Sequence, residues 1–336
     1  MVARKVLFVI PGRREEETSM PFARRQVEAL RRFAPHIETE IFFLQSRTDL
    51  VSLFSAALEF RSLVRKFKPE LVHSQFGSMT GFFVLLLFRG PRVLTIRGSD
   101  LNPTPSMNQL RSRIGHVMTR FAALFSRATL CVSAELRERL WFAKRRSVIL
   151  LEGVDSSVFN PVPQGRARAR LGISHNDPIL LFNAGRSPRV KRLDIAERVY
   201  EIVRQNIPAA KFHVLDGTVN PSEVPLWLNS ADVLLVSSDF EGSPTIVKEA
   251  ILCSLPLVSV DVGDVAQVSA GVTATHICDR VPGALATAVI AEMTKRERSN
   301  GFEIGVSRFG LERMCQKLTE CYDGVVKRSP AGSSKA

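Results

Sequence analysis

The chain alternates short apolar runs with amphipathic stretches along almost all of its length. Residues 4–10, RKVLFVI, begin with two cations, turn wholly apolar and stop at Pro11-Gly12. That is a strand closed by a breaker. Further runs of this kind stand at 38–44, 69–75, 91–97, 128–133 and 147–151. Between them the apolar spacing widens to three or four. In 20–34, Ala23, Val27, Leu30 and Ala34 share one helical face, while Arg24, Arg25, Arg31 and Arg32 crowd the others. Strands alternating with such helices predict a parallel sheet covered on both faces.

The rhythm breaks over 152–176, where Gly153, Pro161, Pro163 and Gly165 cluster, and a second series begins. Its strands are expected at 178–184, 211–216, 232–238 and 256–260, with helices at 192–206 and 244–254. The prediction is an α/β protein of two Rossmann-like, doubly wound domains, 1–160 and 161–307. A helix over 308–326 is expected to return to the N-terminal domain. The tail 327–336, KRSPAGSSKA, has a disordered composition.

Composition narrows the picture. The 336 residues are 45% hydrophobic, which is globular and enough for two cores. The longest apolar run, Phe82 to Phe88, is too short to span a bilayer. The opening run is too short for a signal-peptide core and reads as the first strand. Five cysteines without ligand spacing are expected to be reduced, buried and cytoplasmic, with no metal among their roles. The net charge of +13 is uneven: residues 1–160 hold 25 Lys and Arg against 14 Asp and Glu, residues 161–336 hold 21 against 19. No recognition motif for nucleic acid accompanies that surplus. There is no G-x-G-x-x-G after the first strand, no P-loop and no G-x-S-x-G elbow, which argues against a dehydrogenase, a P-loop NTPase and a hydrolase of that type.

Two stretches carry candidate chemistry. In 239–261, DFEGSPTIVKEAILCSLPLVSVD, a strand delivers the chain to Glu241-Gly242; Ser243 is expected to cap a helix starting at Pro244. A helix N-terminus beyond a parallel strand presents free amides to an anion. Glu249, four residues after Thr245, lies on the same helix face one turn deeper, where a carboxylate suits paired ribose hydroxyls. In the other stretch, PILLFNAG ends at Gly185 and runs into Arg186, Arg189, Lys191 and Arg192. Cations there suit a diphosphate, whose charge grows as a sugar leaves it. Taken singly, each stretch also reads as a solvated surface.

Together they resemble the nucleotide-sugar domain of retaining glycosyltransferases of family four, the group 1 glycosyltransferases of the GT-B fold. The G-R-x-x-x-x-K segment of that family stands here as Gly185-Arg186 to Lys191. Its glutamate pair stands as Glu241-Gly242-Ser243-Pro244 through Glu249-Ala250. NSADVLLVSS before that pair and EGVDSSVFNP at 152–161 are similar to the family as well. By resemblance, Arg186 and Lys191 hold the diphosphate, Glu241 a hydroxyl of the donor sugar and Glu249 the ribose. Amides from Gly242 to Thr245, with Asp216, complete the donor set. The first domain departs from the pattern. Thr95-Ile96-Arg97-Gly98-Ser99-Asp100 has Arg97 where the family commonly has histidine, and a Gly-Gly pair is replaced by Gly12-Arg13-Arg14-Glu15-Glu16-Glu17. In PELVHSQFG, His73 stands at a strand end. Gly12, His73, Arg97 and Asp100 are therefore the candidates for the acceptor side of a cleft.

The resemblance implies a metal-independent transferase that takes a nucleotide-diphosphate sugar as co-substrate and needs no cofactor. A nucleotide-sugar epimerase, a phosphorylase or a non-catalytic relative on the same fold stay open as alternatives. The basic first half further suggests an anionic acceptor or an anionic membrane surface, met through helix 20–34 and the apolar segment 82–88.

Overall fold

The computed structural model describes residues 4–16, 19–102, 109–140 and 142–327; the tail 328–336 and Glu17 lie outside them. The chain divides into two compact units, Met1–Gly153 with Glu312–Ala336, and Val154–Leu311.

The first unit carries six parallel strands in the order β2-β1-β3-β4-β5-β6. They are β1 (Arg4–Pro11), β2 (Ile37–Leu44), β3 (Leu71–Ser74), β4 (Arg92–Ile96), β5 (Ala128–Cys131) and β6 (Ser147–Ile149). Helices α1 (Pro21–Phe33), α2 (Leu50–Phe67), α3 (Ser78–Leu87), α4 (Gln109–Leu124) and α5 (Ala134–Glu138) connect them. Val6 to Ile10 of β1 are fully buried, as expected for a strand covered on both faces. The four residues read as one face of α1, Ala23, Val27, Leu30 and Ala34, are all buried.

The second unit holds β7 (Ile179–Asn183), β8 (Lys211–Leu215), β9 (Val233–Val236), β10 (Leu257–Val260) and β11 (Thr275–Cys278), parallel in the order β11-β10-β9-β7-β8. Its helices are α6 (Gln164–Leu171), α7 (Pro188–Lys191), α8 (Leu193–Asn206), α9 (Val224–Ser230), α10 (Thr245–Leu252), α11 (Val265–Ser269), α12 (Pro282–Lys295) and α13 (Gly301–Phe309). The chain enters and leaves this unit side by side: the Val154 amide donates to Phe309 O, and Leu311 N to Val154 O. Helix α14 (Leu311–Lys327) then packs in the first unit, where its Tyr322 is fully buried.

The structure differs from the expected elements in four places. The helix expected over 192–206 is α8, but a short helix that was not expected, α7, precedes it, and Arg192, at φ 59°, turns the chain from one into the other. The helix expected over 308–326 is α14, which starts at Leu311 because Gly310 separates it from α13. The unit boundary falls at Gly153 instead of 160. Strand β11, THIC, passes as loop in the sequence because it is a partly exposed edge with two polar residues.

In both sheets the strand order reverses direction once, between β1 and β3 and between β7 and β9. At such a point the loops leaving the two strands part to opposite sides and open a crevice at the C-terminal edge.

Candidate active site

The second unit's reversal point gathers the donor candidates. Gly185, at φ 49°, turns the chain sharply out of β7, a conformation glycine adopts without strain. Its amide and that of Ala184 both donate to Leu215 O at the end of β8. Arg186 follows, exposed, with no hydrogen bond or ion pair to any described residue. A Cβ at neighbouring Gly217 would come within 3.3 Å of its Cγ, so the loops after β7 and β8 lie against each other. Asp216, in that second loop, is exposed and already engaged. Its carboxylate accepts from the amide (2.9 Å) and hydroxyl (2.6 Å) of Thr218, which holds its pKa low.

Lys191, at the end of α7, is held from the neighbouring strand. Ser237 Oγ, just past β9, donates to the carbonyls of Lys191 and Arg192, and the Asp239 amide to Val190 O. So fixed, Lys191 Nζ pairs with Glu241 Oε1, which also accepts from Ser238 Oγ at 2.8 Å. The G-R-x-x-x-x-K cation and the first glutamate of the pair thus touch, with side chains only 20% and 13% exposed. Arg280, just beyond β11, braces the loop from the far side: it donates to Ser237 O and Ser238 O and faces Asp239.

The helix expected to start at Pro244 starts at Thr245, and Ser243 does not cap it. Pro244 occupies the cap position and offers no side-chain bond. The Ser243 hydroxyl instead donates to Asp264 Oδ2 at 2.7 Å and accepts from Lys248 Nζ. Lys248 and Asp264 form an ion pair at 3.0 Å with both side chains fully buried. Burial lowers the lysine pKa, and Asp264 opposes that. The physical reason is competition: a buried ammonium needs oxygen partners more than the helix needs a cap. The consequence is that the first amides of α10 have no side-chain partner. Gly242 and Thr245 are half-buried at that end, and Glu249 lies buried one turn below Thr245. Gly263 (φ 61°) lets the next loop close down, since a Cβ there would sit 3.2 Å from Glu241 O. Sequence reading missed Lys248 and Asp264. For Lys248 a signal was available: Ile246, Val247, Ala250, Ile251 and Leu252 leave the helix little polar face, and such a helix is buried.

The acceptor-side candidates occupy the first unit. Gly12 follows β1, its amide bonded to Leu44 O. His73 is fully buried in β3: Nδ1 lies 2.7 Å from Tyr322 Oη of α14, Nε2 2.7 Å from Thr95 Oγ1. Burial, with the Arg97 charge nearby, pushes its pKa down to about 3. Arg97 is buried against Glu152, side chains 7% and 6% exposed, and also donates to the carbonyl and side chain of Gln75. Asp100 accepts from the amides of Gly77, Arg97 and Gly98, so it staples two loops instead of pairing with Arg97. Each of these three side chains is thus engaged by other groups of the first unit. The five cysteines form no disulfide with one another, and burial holds Cys131 and Cys253 up at about 12, where the thiol is inert. No metal-ligand cluster occurs among the described residues.

The two segments expected to meet a membrane are partly engaged within the first unit. Arg24 donates to the carbonyls of Arg13, Arg14 and Glu16, Arg31 to Thr39, and of 82–88 only Leu86 is exposed. Phe83, Val84 and Phe88 of that segment pack in the core.

Comparison with known proteins agrees with this fold. The model of Glycosyltransferase Family 4 matches residues 6–158, and that of Glycosyl transferases group 1 matches residues 177–294. The chain belongs to glycosyltransferase family 4. It is 26% identical over 271 residues to TuaC of Bacillus subtilis (strain 168), described as a teichuronic acid biosynthesis glycosyltransferase. That match covers 72% of this chain and 65% of TuaC, just under two thirds of its length. Among solved structures, sucrose-phosphate synthase from Thermosynechococcus elongatus superposes with a TM-score of 0.73 at 15% identity, over 97% of this chain and 100% of that one. HepE of Anabaena in complex with UDP and glucose gives 0.71 at 15% identity, over 95% and 99%. The chain thus has the GT-B fold.

Proposed function

We propose that the chain transfers a sugar from a nucleotide-diphosphate sugar to an acceptor, with retention of configuration and without a metal or other cofactor. The observation that carries this is the Lys191–Glu241 contact beside exposed Arg186 and the uncapped start of α10, all at one reversal point. Arg186 and Lys191 follow β7 and the uncapped start of α10 follows the adjacent β9, an arrangement of cations and helix amides that suits a diphosphate. Arg186 and Lys191 take the charge that grows on the departing phosphate, Glu241 orients the sugar, and Glu249 reaches the ribose. Gly185, Gly242, Ser243, Pro244 and Thr245 shape the loops around them. In retention, the departing phosphate oxygen can accept the acceptor's proton on the same face, so no protein base is needed. The acceptor is met by the first unit, whose surplus of cations suits an anionic acceptor or membrane surface.

The test is thermal stabilisation by a panel of nucleotide diphosphates and nucleotide sugars, since a ligand of the folded state raises its melting temperature. A clear shift with one nucleotide, lost in Arg186→Ala and Glu249→Ala, is expected. On the identified donor, Arg186→Ala lowers turnover by about 10²–10³. Unchanged turnover sinks the assignment, and no shift with any nucleotide favours a non-catalytic relative.

A further inference from the structure

Strand order puts α2, α3 and α4 side by side. The steps β2 to β3, β3 to β4 and β4 to β5 all run the same way across the sheet, and right-handed crossovers place their helices on one face. Helix α3 is the middle one: Phe83 and Val84 share a core cluster with Leu53 and Ala56 of α2, and Gly81 lies against Ala122 of α4. The inward faces therefore fill the core. The outward faces are apolar too. On α2, Leu50 and Val51 are 79% exposed and Phe54 69%; Leu86 of α3 is 66% exposed. On and just after α4, Ile114, Val117, Phe121, Leu124 and Phe125 are each about half exposed. At helical pitch these last five form one stripe, with Arg113 and Arg120 along one edge and Arg111 along the other. On α2, Arg61 and Arg65 continue the face of Phe54 and Leu58, while its one acid, Glu59, turns away toward Ser55. No Asp or Glu stands between Gln109 and Ser133.

We propose that this α2–α3–α4 layer is a docking surface for an anionic lipid bilayer. Apolar side chains of this number do not stay in water without purpose, and cations lining them match anionic headgroups. No helix among the described residues is long and apolar enough to cross a membrane, so the layer lies on the bilayer. A second copy of the chain fits worse, because it would bring two faces of the same sign together. The proposal stands apart from the donor site.

The full chain is floated with vesicles of phosphatidylcholine alone or mixed with phosphatidylglycerol, at low and high salt. Wild type floats with the anionic vesicles and is released by salt. Arg113→Gln with Arg120→Gln lowers partitioning about thirtyfold. Phe54→Ser with Phe121→Ser lowers it at least about tenfold. Both pairs keep the wild-type melting temperature and nucleotide-diphosphate shift, because these side chains are exposed and lie in the other unit from the donor loops. Wild type that stays unbound, binds neutral vesicles equally, or is matched by both variants overturns the proposal. So does a dimer in light scattering that Phe54→Ser with Phe121→Ser dissolves.

Discussion

Lys191–Glu241 and Arg97–Glu152 are both cation–carboxylate pairs at the C-terminal edge of a parallel sheet, and they differ in what surrounds them. Arg97 is enclosed, with Gln75 and Glu152 taking its donors, and Asp100 beside it receives three amides. Lys191 keeps partial access to solvent, next to an arginine with no described partner and a helix start with no cap. Similar residue types thus give an enclosed brace in one unit and a partly open pair in the other. Spare valence separates the two, not composition.

The largest effect expected from breaking this contrast is on stability. Arg97→Ala leaves Glu152 buried without its partner, which costs about 3–5 kcal/mol. Urea unfolding reads that loss. Arg186→Ala, in contrast, should unfold like wild type while losing turnover as stated above. If Arg97→Ala were as stable as wild type and specifically lost turnover, Arg97 would belong to the site and the contrast would collapse.

A smaller effect comes from His73. Held at about 3 in the folded chain, it stays neutral, while the unfolded chain takes up a proton below about 6.5. Between those values the unfolded state binds more protons, so this group's contribution to stability falls as pH falls, by about 1.4 kcal/mol per unit. Replacing it, as His73→Gln, removes that slope. The stability difference between wild type and variant should move by about 2 kcal/mol against wild type from pH 7 to pH 5. Parallel pH profiles for the two proteins would mean that the histidine is charged or solvent-reached, which would restore it as a candidate acceptor-side group.

How much of this was legible in the sequence follows the same division. Local periodicity marks ten of the eleven strands, because a strand buried on both faces shows its apolar run to any reader; only β11, a half-polar edge, escapes. The candidate donor motif is legible for a related reason: Gly185, Arg186, Lys191, Glu241 and Glu249 sit in two short contiguous segments, each a loop running into a helix, at spacings set by local structure. The partners that decide what those residues do are distant in the chain. Glu152 is 55 positions from Arg97, and Tyr322 is 249 from His73. Ser243 shows the limit most directly. Its neighbours permit a cap, and only the buried Lys248–Asp264 pair redirects its hydroxyl.

The smallest effect is expected at Tyr322. Its hydroxyl is 2.7 Å from His73 Nδ1, and this contact joins α14, the last helix, to a strand near the beginning of the chain. Tyr322→Phe keeps the buried ring, which stacks edge-on with the imidazole, and removes one hydrogen bond. Gln75 Nε2, at 3.2 Å from the same nitrogen, remains to satisfy it. The loss should therefore sit near the lower end for a buried polar group, about 1 kcal/mol, read as a shift in the urea midpoint with unchanged slope. A loss several times larger would show that Gln75 does not compensate. The hydroxyl would then be the main tie of α14, and a slope change would accompany it as that helix separated first.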